Sequence, residues 1–247
     1  MRKISASRIR RENNRALNKY ERFGTRLFLR TLQSQAEEFD SVLMLNAYID
    51  FYERVFVDAA TREFDRIREM HRKEFIPDGF FLETWREWIG RWVVDNLGGL
   101  IQRVNENTRE KIRIALANAS EQGLNPFQTA KYLKEFVGSR SRALAIARTE
   151  GTRANNMGKE RSANDWANET GVELWKQWVH GGSREPREEH LFLASQYPIR
   201  KYEKFPLGNG MDMPGDPAGG PDQTINCSCT VVYLSGQYVA RYHPNLI

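Results

Sequence analysis

Cysteine is nearly absent: the 247 residues contain only Cys227 and Cys229. Two cysteines cannot build a disulfide framework, and a Cys-x-Cys spacing is too cramped for an easy bridge. The expected state is a pair of reduced thiols, made in a cytoplasm. No apolar run approaches the roughly eighteen residues that a membrane span needs, so no membrane partner is expected. The basic N-terminus has no apolar stretch behind it, and no secretory signal is expected either. Histidine is scarce, with four residues in the chain, and two of them, His180 and His190, fall in one short run. A Walker loop, a dinucleotide fingerprint and a His-Glu-x-x-His pair are all missing, which removes the commonest nucleotide-binding and zinc-protease readings. No repeat occurs at any period.

What remains is the composition of an ordinary globular chain, long enough for one large or two medium domains. Its charge is unevenly placed. Residues 1–30 carry Arg2, Lys3, Arg8, Arg10, Arg11, Arg15, Lys19, Arg22, Arg26 and Arg30 against Glu12 and Glu21, a local +8 in a chain whose net charge is +5. The basicity therefore belongs to an N-terminal arm and not to the body. Such an arm suits nucleic acid or an acidic protein surface; a solvated helix face or a frayed tail explains it equally well.

The first half reads as helices. Residues 5–38 lack proline and show a ragged apolar stripe through Leu17, Phe23, Leu27 and Phe28. In 41–75, Ser41 is placed to cap, and Val42, Leu45, Ile49, Tyr52, Phe56, Ala60, Phe64 and Ile67 recur at three- and four-residue steps. Ile76-Pro77-Asp78-Gly79 is a turn. A helix from about Leu82 to Leu97 carries Trp85, Trp88 and Trp92, aromatics at a spacing typical of core or interface and not of a ligand cage. Asn96 to Gly99 should end it, and Ile101 to Ala119 should form another. Asn125-Pro126 opens a further helix by capping chemistry, closed at Gly138.

A long helix should run from Ser139 or Ser141 to about Glu169. Its stripe of small residues (Ala147, Gly151, Ala154, Gly158, Ser162) lets another backbone come close and marks it as central. Arg148 and Glu150, two apart within it, cannot face each other and must each find a partner elsewhere.

After Gly171 the texture changes. Val172 to Val179 alternates as a strand. A short helical piece follows around Pro186 to Ala194, then a Pro- and Gly-rich loop over 196–224, a second strand from Thr224 to Leu234, and a tail over 236–247. The expected fold class is α+β: a mainly helical N-terminal part, then a small α+β C-terminal unit with two or more short strands.

On a strand, Cys227 and Cys229 would project to one face. With His190 brought in by the loop they would make a zinc site, and His180, Asp212 or Asp216 would supply a fourth ligand. Structural zinc sites usually show wider cysteine spacing, however. Two small buried residues and a histidine bonded to a loop carbonyl are the commoner explanation. A Cys227–His190 nucleophile pair lacks a helix after the cysteine to lower its pKa. The charged run Arg184, Glu185, Arg187, Glu188, Glu189 reads best as a solvated helix entry.

The order of these elements resembles a known family. Arg148-Thr149-Glu150 on a helix of small residues, Arg187-x-x-His190, a Pro-Gly-Asp216-Pro loop and Asn226-Cys227-x-Cys229 together resemble the phage Mu F-like (SPP1 gp7-like) head morphogenesis domain of minor capsid proteins. The resemblance covers roughly 115–247, leaving 1–114 as a helical N-terminal region with the basic arm. The family commonly has Asp ahead of Arg-x-x-His, where this chain has Gly182-Ser183, and Arg between the cysteines, where it has Ser228. The missing Asp favours structure over catalysis. The resemblance implies a non-enzymatic minor head protein of a virion, joining the procapsid in the host cytoplasm, at its interior or its portal vertex. Its partners would be the portal and other head proteins, with packaged double-stranded DNA as a further partner. The alternative is a metal-dependent hydrolase or nuclease-like enzyme using His190 with Cys227 and Cys229.

Overall fold

The computed structural model describes residues 4–35, 41–71, 76–122, 124, 128–129, 131–132, 135 and 138–246. Arg2 and Lys3 lie outside them, as does most of the helix expected between Asn125-Pro126 and Gly138.

Three long helices form the first half: α1 (Ala6–Gln35), α2 (Ser41–Met70) and α3 (Leu82–Glu121). The basic segment is thus not a free arm but α1, and one side of it is built into the core. Ile9, Asn13, Leu17, Tyr20, Gly24, Phe28 and Leu32 are buried at steps of three and four. The apolar pattern looks ragged because Asn13 and Gly24 occupy two of the buried positions. On α2 the buried side is broader than its stripe, taking in Met44, Tyr48, Phe51 and Val55 as well, while Val42 is exposed.

α3 runs unbroken where two helices were expected. Gly98 and Gly99 each cost a helix about 1 kcal/mol, but unlike proline they keep the N–H that the hydrogen-bond ladder needs. The tryptophans of α3 line its inner side. Trp85 is buried and stacks on Phe81, Trp88 stacks on Phe56 and Trp92 on Tyr52.

The helix at the centre is α4 (Arg140–Thr170). Ser139 caps its start by accepting from the Arg142 N–H, and Gly171, left-handed at φ 66°, closes its end. Small residues let α2 approach it: a Cβ on Gly158 would lie 2.4 Å from the Phe56 carbonyl oxygen. α1 and α2 both pack along α4, so residues on either side of position 114 share one apolar cluster.

Beyond α4 comes an antiparallel sheet in the order β2-β1-β3, with β1 (Leu174–Val179) central, β2 (Ile199–Arg200) and β3 (Thr230–Ser235). Both faces are covered. Leu174, Trp178, Val231 and Tyr233 join the main core, while Trp175, Val179, Val232 and Leu234 meet Ile9 of α1 and α7 (Gly236–Tyr242). The expected C-terminal tail is therefore a helix, capped by the Ser235 hydroxyl. The two ends of the chain meet there: the Ile4 N–H donates to the Tyr238 hydroxyl at 3.1 Å.

Two short helices, α5 (Glu188–Ser195) and α6 (Pro221–Thr224), flank the Pro- and Gly-rich loop. The second strand starts at Thr230, not Thr224. The stretch before it is pulled out of extended geometry: Cys227 N–H donates to the Thr224 carbonyl at 3.2 Å, and Asn226 sits at φ 57°. Cys227 and Cys229 therefore lie in a turn ahead of the strand, and strand alternation does not place them.

Candidate functional site

One polar side of α4 organises everything around the cysteines. Thr149, Thr152, Arg153, Asn156 and Lys159 fall at three- and four-residue steps and are buried, an arrangement that survives only if every polar atom finds a partner. They find them on loop backbone. Thr149 Oγ1 accepts from the Asn226 N–H at 3.0 Å, and the Thr152 hydroxyl donates to the Cys227 carbonyl at 2.5 Å. Arg153 Nε donates to the Gly215 carbonyl at 3.1 Å. Asn156 uses both ends of its amide: Nδ2 donates to the Pro214 and Cys229 carbonyls, and Oδ1 accepts from the Val231 N–H and the Thr230 hydroxyl. Lys159 Nζ donates to Thr230 Oγ1 at 2.6 Å. Burial lowers its pKa to about 7, with Glu63 opposing the shift.

The three residues of the Arg-Thr-Glu run point to three different elements. Arg148 Nε donates to Glu21 of α1 at 2.9 Å. Thr149 holds the turn at Asn226. Glu150 accepts from the Tyr52 hydroxyl of α2 at 2.5 Å and from Arg153 Nη1 at 2.7 Å. This ion pair is buried on both sides. Removing one member of such a pair typically costs about 3–5 kcal/mol, because the other is left charged and unpaired.

Arg187-x-x-His190 works as a clamp across one turn of α5. Arg187 Nη2 donates to the Ile225 carbonyl at 2.7 Å, and His190, three residues on, reaches the cysteines. His190 Nδ1 lies 3.7 Å from Cys227 Sγ and 3.5 Å from Cys229 Sγ. All three residues are buried, and their ligand atoms lie within 4.8 Å of one another. The other ring nitrogen, Nε2, is 3.0 Å from Gln223 Oε1. Trp178 meets the imidazole edge to face at 5.1 Å, with Phe205 behind it. The Cys229 sulfur accepts from the Cys227 thiol, which pulls the Cys229 pKa below the usual thiol range; the same thiol–thiol hydrogen bond and burial push Cys227 well up.

Among the described residues, His190, Cys227 and Cys229 are the only trio with ligand geometry. The proposed fourth ligands do not join them. His180 Nδ1 accepts from the Gly182 N–H, Asp212 pairs with Lys204, and Asp216 caps a turn by accepting from the Asp212 and Ala218 N–H groups. Arg184, Glu185, Glu188 and Glu189 lie at or near the surface, outside the trio.

Sequence reasoning missed the contribution of α1. Arg10 Nε donates to the His180 carbonyl, Asn14 Nδ2 to the Gly181 carbonyl, and Asn13 Nδ2 to the Ser228 carbonyl. Asn155 of α4 donates to Asn13 Oδ1 at 3.1 Å. The signal was present, since Asn13, Asn14, Asn155 and Asn156 sit inside long helices where asparagine is a poor helix former.

The motif residues thus fall in one continuous structure. Residues 110–232 match the family model described as Phage Mu protein F like protein. The chain belongs to the phage Mu F-like family. The matched stretch runs from the last part of α3 into β3 and includes each of the motif residues named above. The family is one of head morphogenesis, so this is a phage head-related protein. No curated protein and no solved structure matches the chain. Among the described residues no helix is long and apolar enough to cross a membrane.

Proposed function

We propose that this Mu F-like protein is a minor head protein that joins the procapsid during assembly and associates with the portal, without catalytic turnover. The observation that carries this reading is the use made of the motif residues. Arg148, Thr149, Glu150, Arg187 and Asp216 are each occupied in fixing one segment to another. An active site would leave convergent polar groups facing a cleft. Here they face groups of the same chain, most of them backbone carbonyls and N–H groups.

The exposed side of α1 adds a surface of defined chemistry. Arg8, Arg11, Arg15, Lys19, Arg22, Arg26 and Arg30 recur at three- and four-residue steps along the side of α1 away from the core. At 1.5 Å per residue the row extends roughly 33 Å. A row of cationic groups on a rigid rod suits the phosphate backbone of packaged double-stranded DNA.

Co-expression with the portal protein of the same phage, followed by pull-down, tests the assignment. Retention of the protein on free or procapsid-assembled portal is the expected result. Absence of retention on both forms would overturn it.

A further inference from the structure

We infer that His190, Cys227 and Cys229 bind one zinc ion through Nδ1 and the two Sγ atoms, with a water in the fourth position. Three independent features of the geometry point there. The first is distance. Zinc bonds of about 2.3 Å to sulfur and 2.0–2.1 Å to nitrogen, set at a tetrahedral angle, hold N and S roughly 3.5 Å apart. His190 Nδ1 stands 3.5 Å from one sulfur and 3.7 Å from the other. Both nitrogen–sulfur distances are close to those that an ion would set.

The second is the tautomer. Gln223 Oε1 accepts at Nε2, 3.0 Å away. An amide oxygen there keeps the proton on Nε2 and leaves the Nδ1 lone pair facing the two sulfurs. A polar acceptor behind the far nitrogen is the usual support of a metal-ligating histidine. The third is the treatment of the sulfurs. The Cys229 N–H donates to Cys227 Sγ at 3.4 Å. A backbone donor aimed at sulfur compensates the negative charge that a thiolate ligand carries.

The ligands are buried, with Trp178 and Phe205 as an apolar wall, so the ion would be a fastener and not a reaction centre. It would tie α5 to the turn ahead of β3, adding metal bonds to the hydrogen bonds and apolar packing that connect them. Binding displaces the protons that the two thiols carry, and these leave to solvent. The ion closes the fold whatever the fold docks on, so zinc binding and the head-assembly role stand or fall separately.

The test uses the full chain. Elemental analysis of protein produced with zinc in the medium is expected to find one zinc per chain. After removal by chelator under reductant, titration with Co2+ should give a thiolate-to-cobalt charge-transfer band and tetrahedral visible bands, saturating at one equivalent. Cys229→Ser and His190→Ala should lose those bands. Gln223→Ala, which leaves all three ligands in place, should keep them with affinity weakened about 10- to 100-fold. Folding of each variant is checked by circular dichroism. A fully reduced, folded wild-type chain that gives no cobalt bands would overturn the inference. So would a chain isolated with Cys227 and Cys229 joined as a disulfide that rejects metal after reduction.

Discussion

Thr149 Oγ1 accepts the backbone N–H of Asn226 at 3.0 Å, and among the described residues Asn226 is the single non-glycine residue with positive φ. The two residues belong to different motifs, 77 positions apart. The hydroxyl on α4 holds open the turn that presents Cys227 and Cys229. Thr149→Val keeps the shape and removes the acceptor, leaving a backbone donor unpaired at a cost of about 1–3 kcal/mol. Asn226→Gly removes the left-handed strain instead and should be neutral or mildly stabilising. Chemical denaturation of both variants measures the contrast. Equal stability of Thr149→Val and wild type would show that the bond carries no weight.

Two glycines in long helices should respond oppositely to alanine. At Gly158 a Cβ would strike the Phe56 carbonyl of α2, so Gly158→Ala should destabilise by about 1–3 kcal/mol despite its better helix propensity. At Gly90 of α3 nothing lies within 4 Å of a built Cβ. Gly90→Ala should stabilise by about 0.5–1 kcal/mol. Thermal melts of the pair read the difference directly.

Lys159 gives the fold a pH dependence of known sign. Its folded pKa is about 7, below the ordinary lysine value of 10.5, because burial disfavours the charged amine. Below pH 7 both folded and unfolded chains hold the proton, and the buried charge exacts its full desolvation cost. Between about 7 and 10.5 only the unfolded chain holds it, so the destabilising effect of this group shrinks as pH rises across that window. The sign follows from proton release on folding: with a folded pKa below the unfolded one, the unfolded chain binds more protons, and raising pH favours the fold that has already given its proton up. Stability therefore rises with pH.

 The desolvation penalty of the buried charge is fully relieved above the unfolded value of 10.5 and is back in full once pH has fallen through about 7. Lys159→Met should flatten the rise. Melting temperatures taken from pH 6 to 10 on both proteins check it, and parallel curves would discard the assignment to Lys159.

The cationic row of α1 makes a quantitative claim about salt. Changing Arg15, Arg22 and Arg26 to Glu should weaken binding to duplex DNA of any sequence. It should also reduce the slope of log affinity against log salt by about 3, near one for each phosphate that is no longer neutralised. The three side chains point away from the core, so stability should hold. An unchanged slope would mean that the row faces something other than DNA.

The periodic parts of this fold were legible in the sequence, and the site only in part. Amphipathic spacing located α2, and a serine start with a stripe of small residues marked α4 as the helix others pack against. Periodicity failed where glycine and asparagine took core positions, as at Asn13 and Gly24 of α1. It failed again at Gly98-Gly99, where a weak helix former is not a break. The turn at 224–229 looks like strand because its apolar and polar residues alternate. What bends it is capture by Thr149, Thr152, Asn156 and Arg187, long-range partners that no local pattern contains. His190, Cys227 and Cys229 could be singled out by rarity, but not Gln223 behind them, since a lone glutamine in a loop carries no signature.

The hydrogen bond from Ile4 to Tyr238 joins residues 234 positions apart. It has a consequence for synthesis. α1 is made before the other elements described, yet the cluster around Ile9 is complete only when β3 and α7 have been made. At roughly 5–20 residues per second that interval is on the order of tens of seconds. Through it the nascent chain shows a bare apolar patch beside a row of cations, the period in which a chaperone or an early assembly partner has its best access.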